Sequence, residues 1–506
     1  MSGAASAIQL LREQPRLRVL IIEKSPVFTR RVGEATVEIS TYFLTRCLGL
    51  TRYLNEHHLV KQGLRFWFAN ERAENISQCS EIGPKYLTRL PSFLVDRASL
   101  DEEVLRRAVE LGAVLWRTAT VQKVTLHPGG FQSLTVKYQD RVVEVEGRWV
   151  MDASGVTALL ARQEGWLRPN EAHPTTSVWS RWKGVKDLDS AELARKYPEW
   201  SKVCFGVRGL ATNHLMGRGW WAWIIALKGG DVSVGVVFDQ RLVKWPEGGS
   251  LGERLKSFLL EHPAGRELLA DAQWIEGDMH WRKNLPYRST TFAGDGFALV
   301  GDAAGFIDPF YSPGMDWITF TSAGAVSLIL AQQRGEAMAA RVERYNRDFA
   351  RSYNCWFEAL YQDKYEYLNE YDLMRLAFLM DLGFYYYGVA SQPFLRGAQA
   401  LTEPVFSTPP SVPFYYFMRA YNRRFARIAQ DRQRRGAGAR TNDRHRYMVK
   451  SYNFSPTTSL PLVGAILGWG LLELKEGWRT WFRRKPEPIA AAPLPSGILP
   501  KHATTT

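Results

Sequence analysis

Residues 18–23 read RVLIIE, an apolar run with branched side chains that ends in an acid. Its composition and length predict a buried β-strand. The residues before it, Ala4 to Glu13, are mostly small or aliphatic and predict a close-packed helix. A helix followed by a strand is the second half of a βαβ unit.

The acid at the end of this strand has a specific use in dinucleotide-binding folds. There it accepts hydrogen bonds from the adenosine ribose, while a glycine-rich turn before the helix offers N–H groups to the pyrophosphate. Glu23 suits the first role, and for the second the chain offers Ser2-Gly3-Ala4-Ala5. The first strand and its leading glycines are missing, so we expect that the chain begins one strand late, as a truncation or a mis-set start would produce.

Three further stretches extend the pattern. Residues 93–112, FLVDRASLDEEVLRRAVELG, predict a strand, an Asp-Arg turn and an amphipathic helix. Residues 150–155, VMDASG, predict the end of a buried strand and a turn of small residues. Residues 297–305, FALVGDAAG, predict an apolar strand that runs into Gly301-Asp302 and the start of a helix.

In this order, the four pieces resemble the FAD-dependent aromatic monooxygenases and halogenases of the glutathione-reductase-like fold. The resemblance covers residues 2 to about 330 and implies FAD as cofactor. It implies that Gly301-Asp302 binds the ribityl and pyrophosphate region and that the turn from Asp152 to Gly155 lies against the adenine dinucleotide. Gly3, Glu23 and Arg97 complete this part of the expected cofactor site.

The expected fold class is α/β (α+β), a Rossmann FAD-binding domain with an inserted substrate sheet, a helical C-terminal region and no first β-strand. We assign the regions by subtraction: 1–60, 93–160 and 285–330 to the FAD-binding domain, 61–92 and 165–284 to the substrate sheet, 331–484 to helices, and 485–506 to a disordered tail. The aromatic residues of the helical region are interpreted as core, without a chemical role. They include Tyr361, Tyr365, Tyr367, Tyr371 and Phe384 to Tyr387.

Several motifs resemble those of the flavin-dependent halogenases in particular. Gly33-Glu34-Ala35-Thr36 is similar to the G-E-A-T tetrad of that family, where the strap after the glutamate covers the flavin. Lys61 precedes a turn glycine and an aromatic strand, as the essential lysine of those halogenases does. The resemblance implies that Lys61 delivers hypohalous acid to the substrate. The alternative is that Lys61 is a solvated residue at the start of a strand.

Trp221-Ala222-Trp223-Ile224-Ile225 resembles the W-x-W-x-I-P signature of the same family, although Ala226 replaces the proline. In the family this signature is credited with keeping substrate away from the flavin. The resemblance thus places Trp221 and Trp223 beside the substrate, although alternating tryptophans on one strand face could equally form core or pocket wall.

Residues 308–316, DPFYSPGMD, resemble the D-P-F-F-S-S-G-V-H of halogenases that act on phenols and pyrroles. The resemblance places Pro309 and Gly314 beside the flavin, and Tyr311, Ser312 and Gly314 beside substrate or halide. In the family, halide is held by N–H groups of a Ser/Thr-Gly pair. That pair is Pro313-Gly314 here.

Proline has no N–H to donate. The loss of one charge-assisted hydrogen bond costs about 1.5–3 kcal/mol, or a roughly ten- to hundred-fold loss of halide affinity, unless Ser312 compensates. Asp316 stands where the family has histidine and is expected to add an anion that further disfavours halide.

Composition and charge exclude several classes of protein. The 506 residues are 45% hydrophobic and 23% charged, enough for a large core. Four scattered cysteines show no disulfide or metal spacing, and the start has no secretory signal, so we expect a cytoplasmic protein without a metal. Of the net charge of +14, +9 lies between Arg419 and Lys450, which argues against a nucleic-acid partner. That segment could be a solvated face or a docking site for an acidic carrier protein.

Residues 461–482 are apolar with tryptophans and are followed by Arg483-Arg484-Lys485. This pattern could form an interfacial helix with peripheral membrane contact or a packed C-terminal helix. The most apolar run, 460–472, has 13 residues, which is too short to span a bilayer.

The sequence thus supports three hypotheses. The first is a FAD-dependent halogenase that receives reduced flavin from a separate reductase and acts on a phenol, pyrrole or aryl-polyketide substrate, free or tethered to a carrier. The second is a flavin-dependent hydroxylase with a lost halide site, favoured by Pro313, Asp316 and Ala226. The third is a non-catalytic pathway scaffold. We favour the first because of Lys61 and the Gly33–Thr36 tetrad.

Overall fold

Fifteen α-helices and 22 strands form in the residues described by the computed structural model, which are 1–204, 206–450 and 459–482. The helices are α1 Ser2–Glu13, α2 Glu38–Tyr42, α3 Thr51–His57, α4 Arg97–Glu110, α5 Leu159–Gln163, α6 Ala191–Lys196, α7 Pro198–Ser201, α8 Leu251–Leu260, α9 Pro263–Leu269, α10 Gly314–Gln333, α11 Ala339–Leu360, α12 Tyr371–Tyr385, α13 Gln392–Arg396, α14 Val412–Arg434 and α15 Ser459–Lys475. The strands are β1 Leu20–Glu23, β2 Leu59–Val60, β3 Leu64–Phe68, β4 Ser80–Pro84, β5 Phe93–Leu94, β6 Val114–Arg117, β7 Thr120–Thr125, β8 Gln132–Tyr138, β9 Arg141–Gly147, β10 Val150–Asp152, β11 Leu167–Pro169, β12 Thr175–Lys183, β13 Thr212–Gly217, β14 Trp220–Ala226, β15 Val232–Asp239, β16 Gln273–Trp274, β17 His280–Arg282, β18 Tyr287–Ser289, β19 Ala293–Gly294, β20 Phe297–Leu299, β21 Gly305–Phe306 and β22 Arg446–Val449.

Two parallel strand pairs carry the turns that the sequence assigned to the cofactor. β1 pairs with β6, and β10 pairs with β20, so that Glu23, Asp152 and Gly301 each follow or end a parallel strand. The two pairs belong to separate sheets, and within the described residues no strand precedes α1. The predicted helix–strand unit is confirmed, and so is the mixed α/β class.

The largest sheet has nine strands and brings together both segments assigned to the substrate region. Its order is β16-β12-β15-β14-β13-β3-β4-β22, with β17 on the side of β12. The edge strand β22, Arg446–Val449, corrects the purely helical assignment of 331–484, because it pairs in parallel with β4. Four residues beside a strongly basic segment carry too little alternation for a sequence pattern to reveal this strand.

The helix α10 fixes the position of the turn at Gly301 and of the loop 308–313. The Thr321 hydroxyl accepts a hydrogen bond from the Gly301 N–H at 2.8 Å and donates to the Trp317 carbonyl. Among the described residues, α10 is the one helix with the length and apolar composition of a membrane span, but 83% of that stretch is buried inside the protein. We therefore interpret α10 as a core helix.

Ion pairs neutralise much of the basic segment and hold α15 in place. Arg424 forms two hydrogen bonds to the Glu473 carboxylate, at 2.8 and 2.7 Å. Arg432 is buried and pairs with Glu370, Asp372 and Glu476. The helix α15 thus packs mainly on α12 and is joined to α14 by these charged groups. Their pairing neutralises much of the charge that motivated a carrier-docking face. The basic run 483–485 and the tail 485–506 lie outside the described residues.

Candidate active site

Two turns that are distant in sequence, at Ala153 and at Gly301, lie against the first turn of α1. A Cβ built on Gly301 would lie 2.5 Å from the Ser2 Oγ, and one built on Gly3 would lie 3.2 Å from the Ala153 Cβ. The first turn of α1 has neither a side-chain cap nor an acidic residue. Unpaired N–H groups at a helix N-terminus attract phosphate groups, so the predicted pyrophosphate position agrees with this geometry.

The two aspartates of the predicted cofactor site differ in their bonding. Asp152 accepts the N–H groups of Ser154 and Leu160, at 2.9 and 2.8 Å, so that it mainly stabilises its own turn. No group of the described chain hydrogen-bonds the Asp302 carboxylate, and burial raises the pKa of Asp302, partly offset by Arg97. The carboxylate is only half-buried, so it can be reached from outside, and ribityl hydroxyl groups would supply the donors that it lacks.

The tetrad Gly33–Thr36 is held between the cofactor side and the large sheet. Gly33 has a φ of +99°, and a Cβ there would lie 2.6 Å from the Arg97 Nη1, so only glycine fits. The Glu34 carboxylate accepts a hydrogen bond from Arg181 Nε at 3.1 Å and is 3% exposed, which rules out a solvated glutamate. Glu34 therefore anchors the tetrad to β12 through its side chain.

Arg97 and Glu23 mark the other side of the predicted cofactor site. Arg97 donates to both oxygens of Asp101, at 2.9 and 3.2 Å. Glu23 ends β1 and accepts the Ser25 N–H at 2.8 Å, which leaves further acceptor capacity on its carboxylate. Both side chains are thus positioned by local contacts, and Glu23 can still bind a ribose hydroxyl.

Lys61 is buried, with 1% of its surface exposed, which excludes the solvated alternative. Its ammonium donates to the carbonyl oxygen of Thr36 at 2.8 Å, so the tetrad and the lysine are directly connected. Burial lowers the pKa of Lys61 to about 8, although Glu38 and Asp316 favour the charged form. Lys61 therefore remains mostly an ammonium at pH 7.

A cavity of about 100 Å³ lies next to Lys61. Its wall is mostly apolar and aromatic, with a few polar groups from the tetrad, the loop 308–313 and the C-terminal helices. The lining residues are Val37, Glu38, Lys61, Gly63, Leu64, Thr88, Ser92, Tyr311, Pro313, Asp316, Trp356, Leu360, Tyr361, Phe378, Asp381, Leu382, Tyr385 and Tyr386. Lys61 and the end of the predicted halide loop thus border the same space.

The loop 308–313 has an unusual backbone. Tyr311 and Ser312 have φ values of +69° and +60°, a left-handed conformation that costs free energy in residues other than glycine. The Ser312 N–H donates to the Pro309 carbonyl at 3.0 Å, so this N–H does not replace the missing Pro313 donor, and compensation by the Ser312 side chain stays a prediction. Gly314 begins α10, and a Cβ built on it would meet no atom within 4 Å. A side chain at this position would therefore extend into open space.

Asp316 requires a correction of the expected anion. It lies in the first turn of α10, is 1% exposed and accepts the Ser40 N–H at 3.0 Å. Burial raises the pKa of Asp316 to about 8. The carboxyl is thus mostly protonated at pH 7, and the expected repulsion of halide is wrong at that pH.

The predicted contact of Trp221 and Trp223 with substrate does not match their positions. Neither side chain lines the cavity. Trp221 Nε1 donates to the Tyr365 hydroxyl at 2.8 Å, and that hydroxyl donates to Asp308 at 2.7 Å. Trp223 donates to Ser233 at 3.0 Å. Trp221 supports the 308–313 loop, since its ring also packs against Phe310, whereas Trp223 packs against Trp221 within the sheet face.

The helical region supplies cavity residues that the sequence interpretation assigned to core. Tyr361, Tyr385 and Tyr386 line the cavity, and the Tyr386 hydroxyl donates to Glu38 at 2.6 Å. The side chains of Lys364 and Asp381 form a buried pair at 2.5 Å. A lysine and an aspartate within aromatic helices were the available signal, since charged residues are rarely buried without a partner.

Comparison with known proteins agrees with this geometry. The family model described as "Tryptophan halogenase" matches residues 70–362, more than half of the chain. Flavin-dependent halogenase chlA of Dictyostelium discoideum is 26% identical over 355 residues, or 62% of this chain and 56% of that protein. Sulochrin halogenase gedL of Aspergillus terreus is 26% identical over 66% of this chain and 62% of that protein. The chain thus spans somewhat less than two thirds of the length of these relatives.

Solved structures share the fold. Halogenase PltM has a TM-score of 0.67 at 18% identity, over 93% of this chain and 94% of that chain. The flavin-dependent brominase Bmp2 has a TM-score of 0.59 at 20% identity, over 83% of this chain and 96% of that chain. The hydrogen bond between Lys61 and the Gly33–Thr36 tetrad, and the end of the loop 308–313 at the same cavity, agree with the family match. That match shows that the chain belongs to the tryptophan halogenase family of flavin-dependent halogenases.

Proposed function

We propose that the protein is a FAD-dependent halogenase that replaces hydrogen by halogen on an electron-rich aromatic ring. The observation that carries this proposal is the buried Lys61 ammonium, which borders a partly enclosed aromatic cavity together with Pro313 and Asp316. A separate flavin reductase would supply reduced flavin. The free state of the four cysteines is compatible with a cytoplasmic location, which we also propose.

The chain's residues fit the cofactor in three places. The first turn of α1 would hold the pyrophosphate, Glu23 the adenosine ribose, and Asp302 the ribityl hydroxyls. When bound, reduced FAD supplies with O2 the oxidising equivalents that convert halide into hypohalous acid. Lys61 would then hydrogen-bond this acid and hold it toward the ring, while the apolar walls exclude water. The Thr36 carbonyl fixes the direction of the Lys61 ammonium.

The size of the cavity supports a small substrate. A space of about 100 Å³ is smaller than the cavity of roughly 150 Å³ that holds benzene, so it admits at most a single ring, and only if side chains of the wall shift. We therefore propose a free phenol or pyrrole as substrate. A carrier-tethered ring is the less favoured form, because the arginines that would dock a carrier are engaged in ion pairs such as Arg424–Glu473.

Hydroxylation is the second candidate, since Pro313 removes one backbone donor from the halide position. The decisive experiment incubates the protein with FAD, a flavin reductase and a panel of phenols and pyrroles, and measures product mass with and without bromide. Bromine in place of hydrogen supports the proposal. One added oxygen regardless of bromide would contradict it and favour the hydroxylase.

The Pro313→Ser variant is expected to lower the bromide concentration needed for half-maximal product roughly ten-fold, because serine restores an N–H donor. Serine can adopt the backbone conformation of Pro313, which has a φ of −75° and a ψ of −11°. The measurement is the bromide dependence of product formation. Pro263→Ser, at the first turn of α9, is the matched control and should change nothing. An unchanged bromide requirement in Pro313→Ser would disprove the donor argument.

We also propose peripheral contact with an anionic membrane through α15. Five of its apolar side chains are 50–71% exposed along one side. They are Leu460, Val463, Leu467, Leu471 and Leu474. Lys475 and Arg479 lie at the end of this stripe, as expected for an interfacial helix next to anionic lipid.

The protein is expected to co-sediment with vesicles that contain anionic phospholipid and less with neutral ones. Replacing Leu467 and Leu471 by glutamate should weaken this binding at least about ten-fold, because apolar burial is lost and two negative charges are added next to anionic lipid. Leu395→Glu changes an equally exposed leucine on α13 and serves as control. Equal binding by the double variant and the wild type would exclude α15 as the contact.

A further inference from the structure

Asp381 is a carboxylate in the wall of the cavity that the halogenation chemistry does not use. It lies on α12, is 5% exposed and lines the same space as Lys61. The surrounding wall is mostly aromatic, and Asp381 is one of the few hydrogen-bond acceptors in it. A ligand in the cavity would meet it directly.

Three side chains donate hydrogen bonds to the Asp381 carboxylate. Lys364 donates to Oδ2 at 2.5 Å, and Tyr311 donates to the same oxygen at 3.1 Å. Tyr421 donates to Oδ1 in a short hydrogen bond. Lys364 is itself completely buried, so its ammonium needs an ionised partner.

The Asp381 carboxylate can accept one more hydrogen bond. An ionised carboxylate has about four acceptor positions, and the described residues fill three of them: two on Oδ2 and one on Oδ1. The remaining position is on Oδ1. Since Asp381 lines the cavity, a hydroxyl group of a bound ring can reach this carboxylate without displacing a protein group.

We propose that Asp381 binds the ring hydroxyl of a phenolic substrate. The inference rests on the proposed function for the identity of the chemistry, but the binding itself does not require turnover. A hydrogen bond from a phenol to a carboxylate increases the electron density of the ring, which favours attack on an electrophilic halogen. Asp381 is thus a substrate-binding residue that selects phenols over aromatic ethers, and Lys364 is the residue that positions it.

The test measures binding of phenol and of its methyl ether, anisole, to the FAD-loaded protein by titration calorimetry without reductant. The wild type should bind phenol about ten-fold or more tightly than anisole, since a charge-assisted hydrogen bond is at stake. In Asp381→Asn this preference should disappear. Asp372→Asn is the matched control: it lies on the same helix and pairs with Arg432, and the preference should persist.

Asp381→Asn leaves the Lys364 ammonium without its partner and could prevent folding. The double variant Asp381→Asn, Lys364→Met removes both charges together, which proteins tolerate better. It should retain bound FAD and also lack the phenol preference. A phenol preference that persists in either folded variant would overturn the proposal, and so would equal binding of phenol and anisole by the wild type.

These outcomes are separable from a failure of the proposed function. If no brominated product forms with any substrate, but phenol binding depends on Asp381, halogenation is wrong and the phenol site stands. If brominated phenol forms equally fast with Asp381→Asn and with the wild type, and the Michaelis constant for phenol does not change, the Asp381 assignment is wrong and halogenation stands.

Discussion

Replacing Lys61 with methionine is expected to reduce halogenated product at least about a hundred-fold, while oxidation of reduced flavin continues. The physical reason is that the ammonium is the hydrogen-bond donor at the cavity wall that can hold hypohalous acid, and positioning of a reactant contributes about this much or more. Methionine keeps the length of the side chain in a site that is 1% exposed. The Lys61→Ala variant should give the same chemical result with lower stability, since it leaves a cavity.

The measurement follows halogenated product and flavin oxidation in the same reaction. Lys256→Met is a matched control, because Lys256 also donates to a backbone carbonyl, that of Ala272 at 2.7 Å, but does not line the cavity. It should leave product formation intact. Unchanged product with Lys61→Met would remove the central role that we assign to this lysine.

The parts of the site that follow from local sequence were predictable. Gly33 shows why: its φ of +99° and its contact with Arg97 require glycine, and such a requirement leaves a mark in the sequence. The same holds for Gly301, with a φ of +61° next to Ser2. Short motifs of this kind identify a local backbone conformation. A family resemblance can then indicate where in the fold this conformation lies.

Contacts between distant segments were not predictable in this way. Tyr361, Tyr385 and Asp381 line the cavity, yet in the sequence they cannot be told from the aromatic core of a helix. Their role depends on how α11 and α12 pack against the loop 308–313, which no spacing encodes. The strand β22 illustrates the same limit, because its pairing with β4 joins residues more than 350 positions apart.

The charge of a buried group also depends on packing. Asp316 was expected to be an anion from its residue type, but its 1% exposure makes ionisation costly. Lys61 is equally buried, and burial disfavours the charged form of both groups. The pKa of the lysine is therefore lowered to about 8, and that of Asp316 is raised to about 8. The sequence contains both residues but not the environment that brings them to similar pKa values.

Asp316→Asn is therefore expected to stabilise the protein, and to do so increasingly from pH 5 to pH 8. The folded protein keeps a proton on Asp316 up to a pKa of about 8, whereas the unfolded chain loses it at a pKa near 3.8. Between these values the folded state binds more protons, so the wild type loses about 1.4 kcal/mol of stability per pH unit from this group. Asparagine cannot ionise and has no such loss.

The measurement is the free energy of unfolding in urea of both proteins at pH 5, 7 and 8. Their difference should grow by several kcal/mol over this range, while Lys61 is common to both and contributes mainly above pH 8. The same variant tests the halide site: because Asp316 is mostly neutral at pH 7, Asp316→Asn should leave the bromide requirement nearly unchanged there. A large drop in that requirement at pH 7, with no growing stability difference, would mean that Asp316 is ionised in the folded protein and repels halide, as its residue type alone had indicated.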